Sequence, residues 1–484
     1  LVAALSALVL GLGAGVVLTL RADAADPLVT ASVDSSTSGA PLPPGFVGVS
    51  LEFNWLHFYT GRNPKRIDPV FVTLLRNLAP NQTPIVRIGG ESTDATWWPI
   101  RHQRTPQGVS YSLSRKWLAI VKGMASGLRA RMIMGLNFAT DRPEVAAAEA
   151  RAFLAGIGRR YIQALEIGNE PDNYGIFPWY RTQLGRGHWV WSRPNNYGLN
   201  DFIPEFSRFR AALPSAGVAG PAFAELGWLG GLDQFFSAEP GLTLATIHRY
   251  PLHGCFTNPS DPTYPSTANL LSDQASSGLA QAIAPSVTVA HNHRIPLRLD
   301  EINSAAVAAC LGKRGVSGTF ASALWVLDTL FNLASVGVDG INVHTLPTAA
   351  YQLFTLRYQR RAWEAFVHPE YYGMLLFSQA FPPGARLLPV SVSQSGPLKV
   401  WATRAPDGTT RIVLINKDPS NDYQVKLQVP GALGPAQLER LRAPSVSSTS
   451  GVTLGGRTFG SETRTGTLGK PQTETALPLA GSYV

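Results

Sequence analysis

Cysteine is nearly absent. The 484 residues hold only Cys255 and Cys310, with no Cys-x-x-C pair, which excludes a cysteine-based zinc site and a disulfide-rich scaffold. Charge is sparse as well: 15% of residues are charged against 45% hydrophobic, a balance that excludes a disordered or low-complexity chain. The basic residues form no long run, which argues against a nucleic-acid binder. The net charge of +9 and pI of about 9.6 favour anionic partners without naming them. After residue 20, no stretch is apolar enough to cross a membrane.

Charge is missing altogether from residues 1–20, and Arg21 and Ala22-Asp23-Ala24 follow. An apolar run ending in a small-x-small pattern reads as a signal peptide cleaved near Ala24, although the basic n-region is lacking. The other reading is an uncleaved anchor, and only then is a membrane a partner. Both place the bulk of the protein outside the cytoplasm, as a secreted or anchored chain. The two cysteines can pair in such an oxidising setting.

What the chain does have is a repeat of short apolar runs and longer helical stretches. The runs are Phe46–Glu52, Pro84–Gly89, Arg131–Phe138, Ile162–Gly168, Gly217–Pro221, Leu244–His248, Ile295–Glu301 and Gly340–His344. Each is nearly continuous in apolar residues, as strands buried on both faces of a parallel sheet are. Their centres recur about every 42 residues, room for a helix and a loop in each βαβ unit. Helical patterns include Ser112–Ser126, Pro143–Gly156, Phe320–Ala334 and Pro369–Phe381. Eight such units predict a (β/α)8 TIM barrel over residues 45–382. Beyond it, short alternating runs separated by turn residues predict an antiparallel β-sandwich domain over 383–484, which carries +5 of the net charge. Residues 1–25 form the targeting segment. Residues 26–44 supply a strand, Leu28–Val33, and a linker packing on the β-domain.

In a TIM barrel the site lies at the C-terminal strand ends. Here these ends carry Glu52 and Asn54, Arg87 with Asp94, Asn169-Glu170, His248 and Tyr250, Asp300-Glu301, and His344. Glu170 after the fourth strand and Glu301 after the seventh converge only through the barrel. Two carboxylates flanking a bond are the apparatus of glycoside hydrolysis: one gives a proton to the leaving oxygen, the other attacks the anomeric carbon. Plainer readings exist. Asn-Glu-Pro can be a helix start with Asn as cap. Asp300-Glu301 can be a structural ion pair with Arg87 or Arg298. His248 can be a hydrogen-bonded core residue.

The segments Val86-Arg87-Ile88-Gly89-Gly90-Glu91-Ser92-Thr93-Asp94, Glu166-Ile167-Gly168-Asn169-Glu170-Pro171-Asp172, Ile247-His248-Arg249-Tyr250, Asp300-Glu301-Ile302-Asn303-Ser304 and His368-Pro369-Glu370-Tyr371-Tyr372-Gly373 resemble the heparanase and β-glucuronidase family, glycoside hydrolase family 79. The resemblance covers residues 28–484. It implies a retaining hydrolase with Glu170 as acid/base and Glu301 as nucleophile, working without metal or cofactor. By the same resemblance Asn169 holds the sugar 2-OH, Tyr250 orients Glu301, and Glu52, Asn54 and Asp94 bind hydroxyls. Backbone amides of the Ala305–Ala309 stretch hold a uronate carboxylate, with Tyr351 near it; the Tyr and Gly of some relatives are absent there. Cys255 and Cys310 follow the sixth and seventh strands on neighbouring loops, where a disulfide is expected; two free thiols are the alternative. The long segments Tyr174–Tyr197 and Pro251–Pro265 wall off a pocket if they are more than insertions. These points give an exo-acting β-glucuronidase whose partner is a uronic-acid-containing glycan. An endo-acting heparanase-like enzyme and a non-catalytic carbohydrate-binding protein are the alternatives.

Overall fold

The computed structural model describes residues 27–182, 186–306, 315–431 and 434–477, and the backbone of 482–483. The signal or anchor segment 1–25 and Cys310 lie outside the described residues.

Eight parallel strands close into a barrel in chain order: Val47–Glu52, Ile85–Gly89, Arg131–Leu136, Ile162–Ile167, Val218–Phe223, Leu244–Arg249, Leu297–Ile302 and Gly340–His344. They are the eight apolar runs of the sequence, shifted by at most two residues at an end. Helices cover them outside and side chains fill the inside, so the first, fifth and seventh strands are buried at every position. The fifth strand contains Pro221, which has no N–H to donate, and its pairing with the sixth slips between Pro221 and Phe223.

The bottom of the barrel is plugged by Arg298. Its guanidinium donates to the carbonyls of Ile341 at 2.9 Å and Gly45 at 3.1 Å, and to the side chain of Asn342. Gly340 is required there, because a Cβ at that position would sit 1.8 Å from the guanidinium. Arg298 is therefore spent on backbone carbonyls and is not the ion-pair partner of Glu301.

The helices expected from periodicity form at Arg115–Leu128, Pro143–Phe153, Phe320–Ser335 and Pro369–Ala380. Ser114 caps the first through its Oγ. Two more, Leu199–Ala212 and Leu279–Asn292, carry Pro204 and Pro285 inside, and those prolines hide them from a propensity reading. A hairpin, Phe354–Gln359 with Ala362–Val367, follows the eighth strand. Among the described residues, no helix is long and apolar enough to cross a membrane.

Among the described residues the C-terminal region holds two larger sheets, beside two short strand pairs, Ala436–Leu438 with Glu474–Ala476 and Leu441–Arg442 with Thr453–Leu454. One is antiparallel: Arg386–Leu388, Leu398–Arg404 and Thr410–Asn416. The other departs from the expected antiparallel sandwich at one pairing. Leu28–Val33 lies antiparallel to Val390–Val392 but parallel to Gln424–Gln428. This strand arrives from the other end of the chain, so no hairpin turn fixes its direction. Trp401 stacks on Phe331 of the barrel with ring centroids 5.3 Å apart, and Lys417 pairs with the buried Asp328 at 2.8 Å. The domain is thereby seated on the outer helices.

Candidate active site

Arg87 organises the barrel mouth. It points inward from the second strand, fully buried. Its Nε lies 2.7 Å from Glu166 and 3.2 Å from Asp300, and its Nη1 lies 2.6 Å from Glu301. Nη2 donates to Asn169 Oδ1 at 2.9 Å. One planar fork thus touches the ends of the fourth and seventh strands together, a geometry that lysine could not reproduce.

Glu301 is buried and doubly held. Tyr250 donates its hydroxyl to Oε1 at 2.7 Å while Arg87 holds Oε2. Burial works to raise its pKa, but the charges of His344, His248 and Arg87 and the Tyr250 hydrogen bond drive it far below the usual carboxylate range. His344, 3.9 Å away, is itself pushed down by burial. We therefore assign the stabilising charge at neutral pH to Arg87 and His248. Glu301 stands ionised, as a nucleophile must.

Glu170 is placed differently. Its side chain is 25% exposed, at the rim. The residue adopts a left-handed backbone, φ 49°, directly before Pro171 and a single turn at Pro171–Asn173. A non-glycine residue there is strained, and such strain gathers at functional sites. Its Oε2 accepts from Asn173 at 3.1 Å and its Oε1 faces His248 Nδ1 at 3.0 Å. Asn169 is held by Arg87 and caps no helix, which removes the helix-start reading of Asn-Glu-Pro. A carboxylate oxygen of Glu170, one of Glu301 and a nitrogen of His248 all lie within 4.8 Å of one another.

His248 joins both carboxylate groups. Its Nδ1 meets Glu170 and its Nε2 lies 3.5 Å from Asp300. Burial and Arg87 oppose its charge, but the Asp300 and Glu170 contacts and the charge of Glu301 outweigh them and raise it to about 10. That shift favours the imidazolium at neutral pH. Glu166 is raised to about 8 by burial against the pull of Arg87, with Asp300 adding to the rise, while Asp300 is held low. Asp300 has no hydrogen-bond donor of ordinary geometry on either oxygen, and Glu166 Oε1 lacks a partner too. A proton kept on Glu166 answers both deficits. The sets Glu166/His248/Asp300 and Glu170/His248/Glu301 have the donor types and spacing of cation sites. Arg87 already sets a fixed cation against Glu166, Asp300 and Glu301.

The remaining expected residues divide. Asn54 keeps a buried, unpartnered Oδ1, an acceptor open to a hydroxyl. Tyr351 packs its ring between Tyr250 and His344, at 6.3 and 5.9 Å, beside Glu301. Glu52 is engaged by the Ser92 hydroxyl and by the amides of Glu91 and Ser92, and burial raises it to about 8. Asp94 is committed to protein donors: one oxygen takes the Tyr174 hydroxyl at 2.7 Å and the other the amides of Phe138 and Ala139. It ties the long loop after the fourth strand to the loop after the third. Cys255 follows Gly254, whose amide bonds Ala306 at 2.9 Å, so its loop runs beside the segment that leads toward Cys310. Of the expected amide stretch, only Ala305 and Ala306 fall within the described residues, paired with Leu252–His253.

Two residues at the core of the site had no role in the sequence reading. Glu166 is the only acid in the apolar run Ile162–Ile167, and a lone charge in a buried strand is the signal that finds it. His344 ends the eighth strand and bonds Ser50 at 3.2 Å, beneath Arg87.

No curated protein matches the chain. Among solved structures, a 4-O-α-L-rhamnosyl-β-D-glucuronidase from Fusarium oxysporum 12S, in a Rha-GlcA complex, superposes with a TM-score of 0.70 at 19% identity, covering 94% of this chain and 97% of that one. A GH51 arabinofuranosidase from Xanthomonas axonopodis pv. citri gives 0.64 at 15% identity over 94% and 97%. The α-L-arabinofuranosidase of Thermotoga maritima gives 0.62 at 14% over 94% and 96%. At such identities the likeness is one of fold. Residues 400–483 match the model of the glycosyl hydrolase family 79 C-terminal beta domain, the family whose barrel motifs the sequence resembles.

Proposed function

We propose that the protein is a retaining, exo-acting β-glucuronidase. The observation that carries the reading is the pair Glu170 and Glu301, with oxygens within 4.8 Å, one at the rim and one buried and ionised. Retaining enzymes set their carboxyls ~5–5.5 Å apart and inverting ones ~6.5–9.5 Å. In the first step Glu170 gives its proton to the glycosidic oxygen as that C–O bond breaks. Glu301 forms an ester to the anomeric carbon. In the second step Glu170 takes a proton from water, the water oxygen bonds the anomeric carbon, and the ester breaks. Asn169, its oxygen fixed by Arg87, turns its NH2 end to the sugar. No step calls for a metal.

The glucuronate assignment rests on the family motifs, on the C-terminal domain match and on the glucuronidase among the structural neighbours. The exo assignment is supported by the segment Tyr174–Tyr197. Its Tyr174 and Trp179 bond Asp94, and its Arg193 donates to Phe138 and Ala139 and pairs with Glu205. A loop pinned at so many points is a wall. Export through the N-terminal segment and a Cys255–Cys310 disulfide complete the reading. Intact mass before and after alkylation counts the thiols, and two free thiols end the disulfide.

The test is hydrolysis of chromogenic β-glucuronide, β-xyloside and β-glucoside. Preference for the glucuronide is expected, and equal or better cleavage of the xyloside overturns the uronate assignment. Oligosaccharides in place of free glucuronate from heparan sulfate would replace exo with endo action.

A further inference from the structure

A second cleft opens on the same face of the barrel, away from the carboxylates. It has a volume of about 400 Å³ and is lined by Arg66, Tyr358, Arg361, Trp363 and Arg464 over a floor that includes Val70. That volume falls within the ~300–1,000 Å³ of ligand pockets. Three separate segments build it. Arg66 lies in the loop after the first barrel strand. Tyr358, Arg361 and Trp363 belong to the hairpin after the eighth, which is the first strand's neighbour. Arg464 comes from the C-terminal domain, whose Thr463 bonds Ala365 of the hairpin in both directions at 2.8 Å.

The hairpin is built in a costly way. Its two turn residues are Arg360 and Arg361, with φ of 47° and 64°. Such a turn favours Asn-Gly, and a chain that merely had to reverse would use it. Two arginines in left-handed backbone are strained, and strain of that kind points to function. Tyr358 and Trp363 face each other across the strands, with ring centroids 5.2 Å apart at 55°. Tyr358 is 52% exposed. Trp363 is pre-set: a Cβ on Gly61 would come within 2.8 Å of its ring, and Gly61 itself has φ 77°. Arg464 is paired with Glu364 at 2.5 Å. Among the described residues neither Arg66 nor Arg361 has an ion-pair partner.

A fixed aromatic pair flanked by unpaired guanidinium forks has a specific complement. A sugar ring stacks on the aromatic face, and a ring carboxylate meets the fork. We propose that this cleft is an ancillary site for anionic glycan chains, binding uronate units of a polymer whose end enters the catalytic mouth. The polymer's identity as a uronate rests on the catalytic reading above. The cleft itself rests on its own residues.

The test uses the full chain carrying Glu301→Gln, titrated with hyaluronan, neutral dextran and single-stranded DNA. Hyaluronan should bind and dextran should not. Arg66→Ala with Arg361→Ala should weaken hyaluronan at least tenfold. Arg361→Lys, which keeps the charge and loses the fork, should fall between. In the otherwise unaltered enzyme, the same double change should leave kcat/KM on a chromogenic β-glucuronide within twofold. Unchanged hyaluronan affinity, no binding at all, an equal loss from Arg115→Ala with Arg151→Ala, or DNA binding with the same arginine dependence each overturn the site. Arginine-dependent hyaluronan binding by an enzyme that cleaves no glucuronide would remove the catalytic reading and leave the cleft standing.

Discussion

Lys417 and Arg87 are both buried cations that face acidic partners, and their surroundings differ in kind. Lys417, in the seam between barrel and β-domain, reaches Asp328 at 2.8 Å and Ser276 at 3.2 Å. Asp328 also accepts from Trp401 at 3.0 Å, Asn332 at 3.2 Å and Ser276 at 2.7 Å. Both of its oxygens are satisfied. Arg87, in the barrel mouth, faces three carboxylates, and around it Glu166 and Asp300 keep oxygens without donors. A satisfied buried pair locks two surfaces together. A crowded, under-satisfied one holds acids and protons in tension, which is how catalytic pKa values are set. The difference separates a strut from a reaction centre without reference to any relative.

The comparison can be broken from the larger effect to the smaller. Glu301→Gln removes the proposed nucleophile and should cost on the order of 10⁴-fold or more in kcat at unchanged melting temperature. Retention of a tenth of the activity would end the mechanism. Glu170→Gln should cost ~10²–10⁴-fold on substrates with poor leaving groups and far less on activated aryl glycosides. A uniform loss across leaving groups would deny it the acid role.

The seam should respond in the opposite currency. Asp328→Ala takes away the buried partner of Lys417 and leaves it only the largely exposed Asp273 at 3.3 Å, so the loss should fall at or below the low end of the ~3–5 kcal/mol typical of a broken buried pair. It should lower the denaturation midpoint while kcat per folded molecule holds. If kcat falls with the melting temperature unmoved, the strut assignment is wrong. The subtlest change is His248→Asn. It withdraws a positive charge that helps keep Glu301 low, so the Glu301 pKa should rise. The acidic limb of kcat/KM should therefore move to higher pH, since the nucleophile now protonates sooner as pH falls. A limb that stays in place would show that His248 does not set that charge.

The barrel was legible because strands buried on both faces show as continuous apolar runs, and a polar residue at each C-terminal end marks the mouth. Glu170 and Glu301 were legible for the same reason. The protein partners of Asp94 were not legible, because an acid at a strand end looks alike whether it meets a sugar or a Tyr174 hydroxyl; only the fold of the loop after Glu170 shows them. Arg298 misled, as one of two arginines offered to Asp300-Glu301. Direction along the strand settles it, with Arg87 toward the mouth and Arg298 at the floor. The raised pKa of Glu166 has no sequence signature, since it arises from burial and from the crowding of residues from three strands. The Arg360-Arg361 hairpin was hidden because it lacks the turn residues that announce one.

The strand Leu28–Val33 lies between Val390–Val392 and Gln424–Gln428, inside a sheet whose other members come from the far end of the chain. In a ribosome's order of synthesis it emerges early and then waits for nearly the whole chain before it has neighbours. Closing so long a loop costs little more than closing a shorter one, because the entropy grows only logarithmically. The consequence is practical. A fragment cut at the apparent start of the β-domain would leave Gln424–Gln428 with an open edge, the kind of edge that recruits other chains. Expression, fusion and truncation should therefore treat the stretch around residue 28 and the C-terminal sheet as one inseparable piece.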